Sequence, residues 1–218
     1  MIRVCLAGAT GWVGRPLAEA IEKTDDLVLA AVVTQRDVEA ALRTPSDVFV
    51  DYTSATAVKQ NVMLAIDAGR HVVIGSSGLT DDDYAEIDAA ARAKNIGVIA
   101  VGNFAITAAL LQRFAVEAAK HLGTPEIIDI ASDKKIDAPS GTARELAWRL
   151  SVDPAKVHSL RLPGYTIGLE VRFGREDERL TIQYDGGNGA QPYIAGTLLA
   201  IRRVPELTGL VRGLDRIL

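Results

Sequence analysis

The chain has 218 residues, of which 48% are hydrophobic, and a formal net charge of −4, which is enough for one or two domains with a sizeable core. The sequence has no run of Lys and Arg, which argues against nucleic acid or an anionic membrane as partner. It has no apolar stretch of about 18 residues, the length of a membrane span, and no basic leader, so we expect a cytoplasmic protein. Its single cysteine cannot form an internal disulfide, and its three histidines lack metal-ligand spacing, so we expect no metal site.

The first predicted elements are a strand over Ile2 to Ala7 and a helix over Arg15 to Ile21, joined by a glycine-rich turn. Gly8, Gly11 and Gly14 follow the spacing G-x-x-G-x-x-G. Such glycines allow a sharp turn, close approach of the backbone to a pyrophosphate and tight packing of helix on strand, and the helix start attracts phosphate. A turn without a ligand has the same composition, but the position between strand and helix favours a dinucleotide site.

The second predicted strand spans Leu27 to Val33, and the residues after it bear on the choice of cofactor. In NAD sites an acidic residue near this point binds the ribose hydroxyls. Here Thr34, Gln35 and Arg36 precede the first acidic residue, Asp37. They could hold a 2′-phosphate, which favours NADPH, or Arg36 could be a solvated loop residue, so NADH stays open.

Further strands alternate with helical patterns up to Val101, which predicts a doubly wound parallel sheet. The predicted strands are Asp47–Thr53, His71–Gly78 with a polar turn at its end, and Asn95–Val101, and the predicted helices are Ala55–Ala68 and one that Thr80 caps. Ligands bind at the carboxyl ends of such strands. We therefore expect one rim to carry Gly8–Gly14, Thr34–Arg36, Thr53, Ser54, Gly75–Ser77 and Asn103.

The pattern changes after Phe104 and predicts a smaller α+β domain. The predicted helices are Ala108–His121 and one opened by Pro139-Ser140-Gly141-Thr142, and the predicted strands are Glu126–Ser132, Val157–Leu162, Ile167–Phe173 and Arg179–Tyr184, in a mostly antiparallel sheet. A final helix, Ile194–Val204, is expected to return to the first domain. We predict a dinucleotide-binding domain over residues 1–104 and 193–218, and a substrate-binding and oligomerisation domain over 105–192.

The chain resembles the 4-hydroxy-tetrahydrodipicolinate reductase (dihydrodipicolinate reductase) family of lysine biosynthesis over nearly its whole length. The matching motifs are GATGWVG, DVFVDYTSATAV, HVVIGSSGLT, GNFAI and, most specifically, KKIDAPSGTA. The resemblance implies a Rossmann-like domain, a substrate domain that builds a homotetramer, and hydride transfer from NADPH or NADH to a small cyclic imine. The cofactor residues expected from motif and resemblance are Gly8, Thr10, Gly11, Trp12, Val13, Gly14, Thr34, Gln35, Arg36, Thr53, Gly75, Ser77 and Asn103.

The same resemblance implies that Ser140, Gly141 and Thr142 bind the substrate. We expect Lys135 to be the catalytic acid or the electrostatic anchor for a substrate carboxylate, because an ammonium near that helix start attracts an anion; a solvated loop lysine is the alternative. Asp137 is expected to brace the loop.

Departures from the family pattern bear on the substrate. The family carries a His-His pair, whose first member is its supposed proton donor, where this chain has Ala131 and Ser132. It also tends to carry a histidine at the end of the late strand, which here ends at Tyr184, and an arginine in the loop after it. This chain instead has the run Gly186-Gly187-Asn188-Gly189-Ala190-Gln191. Replacement donors to consider are Asp133, Tyr165 and Tyr184.

We therefore expect an NAD(P)H-dependent reductase of a small carboxylated cyclic imine or unsaturated N-heterocycle, with an altered substrate. The lysine-pathway reductase itself and a non-catalytic nucleotide-binding or assembly protein are the alternatives. A homo-oligomer is expected from the resemblance.

Overall fold

A computed structural model describes residues 1–33, 37–187 and 189–218. The chain divides into two units: residues 1–104 with 193–218, and residues 105–192. Thr34, Gln35 and Arg36 lie outside the described residues, as does Asn188, so the 2′-phosphate prediction stays a prediction. Among the described residues, no helix is both long and apolar enough to cross a membrane.

The first unit contains a six-stranded sheet in the order β10-β5-β4-β3-β1-β2, and its paired strands are parallel. Its strands are β1 Ile2–Ala7, β2 Leu27–Val32, β3 Val48–Asp51, β4 His71–Ile74, β5 Gly97–Ala100 and β10 Gly209–Arg212. Its helices are α1 Gly14–Glu22, α2 Val38–Leu42, α3 Val58–Asp67, α4 Asp81–Ala93 and α7 Gln191–Arg203, whose first two residues belong to the second unit. The prediction of a Rossmann-like doubly wound sheet is confirmed.

The core of this unit lies at its central strands. Val4, Leu6, Phe49, Val73 and Ile99 have no exposed surface. Parallel strands are covered on both faces, so they are built from nearly continuous apolar runs rather than alternating ones. These runs made the strands recognisable in the sequence.

Strand β10 is absent from the sequence prediction, which ends the chain on a helix. It pairs with β5 in parallel, and its residue Leu210 donates its N–H to Asp88 Oδ1, on α4, at 2.7 Å. Gly209 has a φ of +83° and donates its N–H to the Ile96 carbonyl at 2.8 Å. Only two of its four residues, Leu210 and Val211, are large and apolar, so the strand has little pattern of its own. Its position depends on its contacts with β5 and α4.

The second unit contains a four-stranded mixed sheet in the order β7-β6-β8-β9. Its elements are α5 Ile106–Leu122, β6 Glu126–Ala131, α6 Gly141–Arg149, β7 Val157–Arg161, β8 Ile167–Gly174 and β9 Arg179–Asp185. β8 is antiparallel to β6 and β9, as predicted, whereas β7 runs parallel to β6. The difference arises because α6 forms the crossover between β6 and β7, and such a crossover returns the chain in the same direction.

We predict that Phe49→Ala lowers the free energy of unfolding by about 3–5 kcal/mol, because it leaves a cavity in a closed core. Phe114→Ala is the matched control, since Phe114 is 53% exposed, and it should cost less than about 0.5 kcal/mol. Urea unfolding followed by circular dichroism measures both. Equal losses in the two variants would contradict the position assigned to Phe49.

Candidate functional site

The turn between β1 and α1 depends on two glycines. Gly8 has a φ of +85°, and a Cβ there would lie 2.1 Å from the Tyr52 carbonyl oxygen. A Cβ on Gly14 would lie 2.0 Å from the carbonyl oxygen of Gly8. Neither position tolerates a side chain, because backbone atoms occupy the space. The spacing of the glycines therefore reflects close packing of the turn on itself and on the end of β3.

The turn presents backbone donors. Gly11 donates its N–H to the Gly8 carbonyl at 2.9 Å, and Arg15 donates its N–H to the Gly11 carbonyl at 3.1 Å. Within the described part of the chain, the N–H groups of Trp12 and Val13 have no hydrogen-bond partner. They lie at the N-terminus of α1, where the helix dipole is positive. The arrangement fits a phosphate-bearing ligand.

Beside this turn lies a cleft of about 310 Å³. Its lining residues are Gly11, Trp12, Val13, Tyr52, Thr53, Ser54, Ala55, Gly75, Ser76 and Ser77. The described lining residues are apolar or neutral polar and carry no charged side chain, so N–H and hydroxyl groups are the donors that they offer. These residues fit the pyrophosphate part of a dinucleotide, which is bound mainly by such donors.

Tyr52 closes the cleft at the end of β3. Its hydroxyl lies 2.7 Å from Thr197 Oγ1 on α7, and burial raises its pKa above the ordinary value, so it stays protonated. A Cβ on Gly75 would lie 2.2 Å from the Tyr52 ring. Gly75 is thus needed because the ring occupies the space where a side chain would stand.

Asp51 holds the loops around the cleft, and sequence reasoning missed it. This carboxylate is fully buried at the last position of β3. Its Oδ1 accepts the Thr53 N–H at 3.0 Å, the Thr53 hydroxyl at 2.8 Å and the Ser76 hydroxyl at 2.6 Å. Its Oδ2 accepts the Asn61 side-chain amide at 2.9 Å. The carboxylate therefore links the loops that follow β3 and β4. The DYTS string contains this acid, but the contacts across the sheet are not visible in sequence.

The predicted cofactor residues fall into several groups. Those brought together in the cleft are Gly11, Trp12, Val13, Thr53, Gly75 and Ser77. Gly8 and Gly14 contribute to the packing of the turn and do not line the cleft. Thr10 is exposed, and Asn103, three residues after the end of β5, is 7% exposed. Thr10 and Asn103 are not among the lining residues. Trp12 is 58% exposed and packs edge-on against Tyr193, with ring centroids 5.6 Å apart.

A second set of donors lies at the N-terminus of α6 in the second unit. Ser140 is 1% exposed and caps the helix, since its Oγ accepts the Ala143 N–H at 3.3 Å. The Ser140 N–H is donated to the carboxylate of Asp129 at 2.8 Å. Among the described residues, the N–H groups of Gly141 and Thr142 have no partner. The helix start can therefore bind an anion through those two groups, whereas the buried Ser140 and Thr142 side chains face inward.

Lys135 lies in the loop before α6, where its Nζ is 2.7 Å from Asp137 Oδ1. Arg144 Nη1 is 3.9 Å from the other oxygen of the same carboxylate. The hydrogen bond from Lys135 is the main cause that lowers the pKa of Asp137. Asp137 thus pairs with two nearby cations, and its single negative charge leaves a net positive charge in this group.

The alternative proton donors differ in exposure. Asp133 is exposed, Tyr165 is 38% exposed, and Tyr184 is 4% exposed. Ala131, at the end of β6, has no exposed surface and no group that donates a proton.

Family models match both parts of the chain. Residues 2–104 match the N-terminal model of dihydrodipicolinate reductase, and residues 107–218 match the C-terminal model. The chain belongs to the dihydrodipicolinate reductase family. It is accordingly an NAD(P)H-dependent oxidoreductase.

Relatives named 4-hydroxy-tetrahydrodipicolinate reductase match over the full length. The protein of Beutenbergia cavernae is 33% identical, covering 98% of this chain and 97% of the relative. That of Moorella thermoacetica is 32% identical, covering 100% and 98%. The two alignments extend over 241 and 262 positions, whereas this chain has 218 residues, so both relatives carry segments that it lacks.

Among solved structures, the dipicolinate-bound dihydrodipicolinate reductase from Paenisporosarcina sp. TG-14 is 29% identical over the whole of both chains, with a TM-score of 0.84. GenD2 from gentamicin A biosynthesis shares the fold at 15% identity, with a TM-score of 0.70, covering 99% of this chain and 90% of its own.

We predict that Asp51→Asn raises the Kd for NADPH about tenfold. In the variant an amide nitrogen, itself a donor, would face donors whose hydrogen bonds a carboxylate oxygen now accepts. Asp47→Asn is the control, just before the same strand. The Arg3 guanidinium, which bonds Asp47, lowers the pKa of that carboxyl to about 2, and the pair lies away from the cleft. Fluorescence titration with NADPH measures both variants. A Kd for Asp51→Asn equal to that of the control would contradict the role assigned to Asp51.

Proposed function

We propose that this protein transfers a hydride from NADPH or NADH to a small carboxylated cyclic imine or unsaturated N-heterocycle. The observation that carries the proposal is the start of α6, where the N–H groups of Gly141 and Thr142 have no protein partner among the described residues and Lys135 lies close in sequence. Backbone donors and an ammonium are the groups that bind a carboxylate. The second unit would hold the substrate through that carboxylate.

The first unit would bind the cofactor. Trp12 and Val13 would donate their N–H groups to the pyrophosphate, and Thr53 and Ser77 would line its path. When bound, the nicotinamide supplies the hydride. The protein holds the acceptor in place and provides a proton, and orientation of this kind is worth about 7–11 kcal/mol.

The proposed change of substrate rests on Ala131. It stands where the family resemblance places a proton-donating histidine, and a buried methyl group cannot replace that function. Lys135 would supply the proton or the anchoring charge. A heterocycle that needs less acid assistance than the lysine-pathway imine fits such a site.

The second candidate is the lysine-pathway reductase itself. It is favoured by the full-length relatives of that name, which are 32% to 34% identical to this chain. In that case the general acid, worth about 10²–10⁴-fold in rate, would come from another group.

NADPH oxidation with freshly generated 4-hydroxy-tetrahydrodipicolinate separates these candidates, with NADPH binding measured in parallel. The proposal expects tight NADPH binding, slow or absent turnover of this imine, and faster turnover of another carboxylated cyclic imine in a panel. Ordinary turnover of the lysine-pathway imine would establish the second candidate. Binding without turnover of any imine would contradict both.

We also propose that the protein is a homo-oligomer that associates through the sheet of its second unit. One face of this sheet is closed by α5 and α6, and its residues Ile127 and Val171 have no exposed surface. The opposite face exposes Leu160 by 44%. We place the contact on this face because α5 and α6 cover the other one.

Leu160→Glu should lower the molar mass measured by light scattering after size-exclusion chromatography, because it places a charge in the proposed contact. Leu180→Glu is the control. Leu180 is 39% exposed near the start of β9, and it lies with its partner Phe173 on the face opposite to Leu160. The same mass for wild type and Leu160→Glu would remove this face from the interface.

Gly11→Asp should weaken NADPH binding about 100-fold or more, because its carboxylate would meet the pyrophosphate. A Cβ at this position lies 3.1 Å from the Gly8 oxygen, so the fold needs only a small adjustment. Gly11→Asn adds equal bulk without charge and should bind better than Gly11→Asp. Equal Kd values for the two, measured by calorimetry, would show that charge repulsion does not act here.

Lys135→Met should lower kcat/KM for the carboxylated substrate about 10- to 100-fold, as expected for a lost charged hydrogen bond. The Kd for NADPH should not change. Lys134→Met is the control, because Lys134 is the exposed neighbour. Steady-state kinetics measures both variants. Equal kcat/KM values for the two would place Lys135 outside the mechanism.

A further inference from the structure

A buried ion pair lies behind the loop of residues 137–140 that leads into α6. Asp129, on β6, is fully buried, and the Arg161 side chain, on β7, is 17% exposed. Arg161 Nη2 lies 2.8 Å from Asp129 Oδ2. In the parallel register of β6 and β7, Asp129 is paired with Ser159, so Arg161 lies two positions further along β7 and on the same face of the sheet.

The ion pair contacts both ends of loop 137–140. Asp129 Oδ2 accepts the N–H of Ser140 at 2.8 Å. Arg161 Nη2 donates to the carbonyl of Asp137 at 2.7 Å. Ser159 also donates its hydroxyl to Asp129 Oδ2, at 3.3 Å. The pair therefore fixes the backbone immediately before and after Ala138 and Pro139.

The arrangement is costly if its role is stability alone. Asp129 Oδ1 and Arg161 Nε are buried without a hydrogen-bond partner among the described residues. Removing two charges from water carries a large penalty, and apolar residues of similar volume often stabilise a fold as well. What apolar residues cannot do is hold the Ser140 N–H and the Asp137 carbonyl in fixed directions.

The fixed orientation of the Ser140 N–H and the Asp137 carbonyl affects the neighbouring groups that can bind an anion. Because the Ser140 N–H is bound by Asp129, the next two donors of the helix, on Gly141 and Thr142, are left for a ligand. Asp137, whose carbonyl is held by Arg161, carries the carboxylate that pairs with Lys135. The orientation of both anion-binding groups thus depends on this loop.

We infer that Asp129 and Arg161 are positioning residues that orient the carboxylate-binding start of α6. The inference rests on the proposed function, because it assigns the pair to the same substrate site. Neither residue is expected to touch the substrate.

Calorimetry with dipicolinate (pyridine-2,6-dicarboxylate) on the full chain, with NADPH titrated separately, tests the inference. Arg161→Met and Asp129→Asn should each raise the Kd for dipicolinate about tenfold or more and leave the Kd for NADPH unchanged. Arg161→Lys should recover part of the affinity, since it keeps the charge. The double variant should lose no more than the single ones, as expected for residues that act as one unit.

Arg172→Met is the matched control. Arg172 forms an ion pair with Glu170 within the same sheet and has no hydrogen bond to loop 137–140 among the described contacts. It should leave the dipicolinate affinity unchanged. Hydrogen exchange gives a readout without ligand: amides of residues 137–143 should exchange faster in Arg161→Met and Asp129→Asn than in Arg172→Met.

Several results would overturn the inference. They are unchanged dipicolinate affinity in folded Arg161→Met, equal losses of dipicolinate and NADPH affinity, or the same loss in Arg172→Met. If Arg161→Met does not fold, Arg161→Lys and Asp129→Asn carry the test. If the wild-type protein neither binds dipicolinate nor reduces any imine, the proposed function is contradicted. In that case hydrogen exchange still tests the inference: unchanged amide exchange rates of residues 137–143 in the variants would overturn it.

Discussion

A fully buried carboxylate organises the loops of each unit. Asp51 ends β3 and accepts hydrogen bonds from Thr53, Asn61 and Ser76. Asp129 lies within β6 and accepts them from Ser140, Ser159 and Arg161. A buried carboxylate that lacks such donors would be strongly unfavourable, so the surrounding loops are held where they can satisfy it. In the first unit these loops line the candidate cleft, and in the second unit the loop leads into the start of α6.

The two candidate sites share a physical plan in spite of their different sheets. Each begins at the N-terminus of a helix, where N–H groups have no intrahelical partner. These groups belong to Trp12 and Val13, just before α1, in one unit and to Gly141 and Thr142, in the first turn of α6, in the other. Such groups bind anions without a buried cation beside them. The first set fits a pyrophosphate and the second a carboxylate, which are the anionic parts of the ligands expected for this family of reductases.

Local patterns made much of the fold predictable. The apolar runs of β1 and β3, the glycine turn and the Thr80 cap are encoded within a few residues, and the Thr80 cap is present with its hydrogen bond from Asp83. Strand β10 and the parallel direction of β7 depend on partners distant in sequence, so no short window contains them. The same holds for the sites: Gly11 was recognisable from spacing, whereas Asp51 and Arg161 act through contacts across a sheet.

The described residues that line the cleft carry no charge, which has a consequence for the dependence of cofactor affinity on ionic strength. A pyrophosphate held by N–H dipoles and hydroxyl groups makes few contacts between full charges, and added salt screens those full-charge contacts most strongly. NADH affinity should then change little between dilute and concentrated salt. An arginine that bound the 2′-phosphate would add a salt-sensitive contact to NADPH alone. The difference in salt dependence between the two cofactors would therefore report whether a cation takes part in choosing between them.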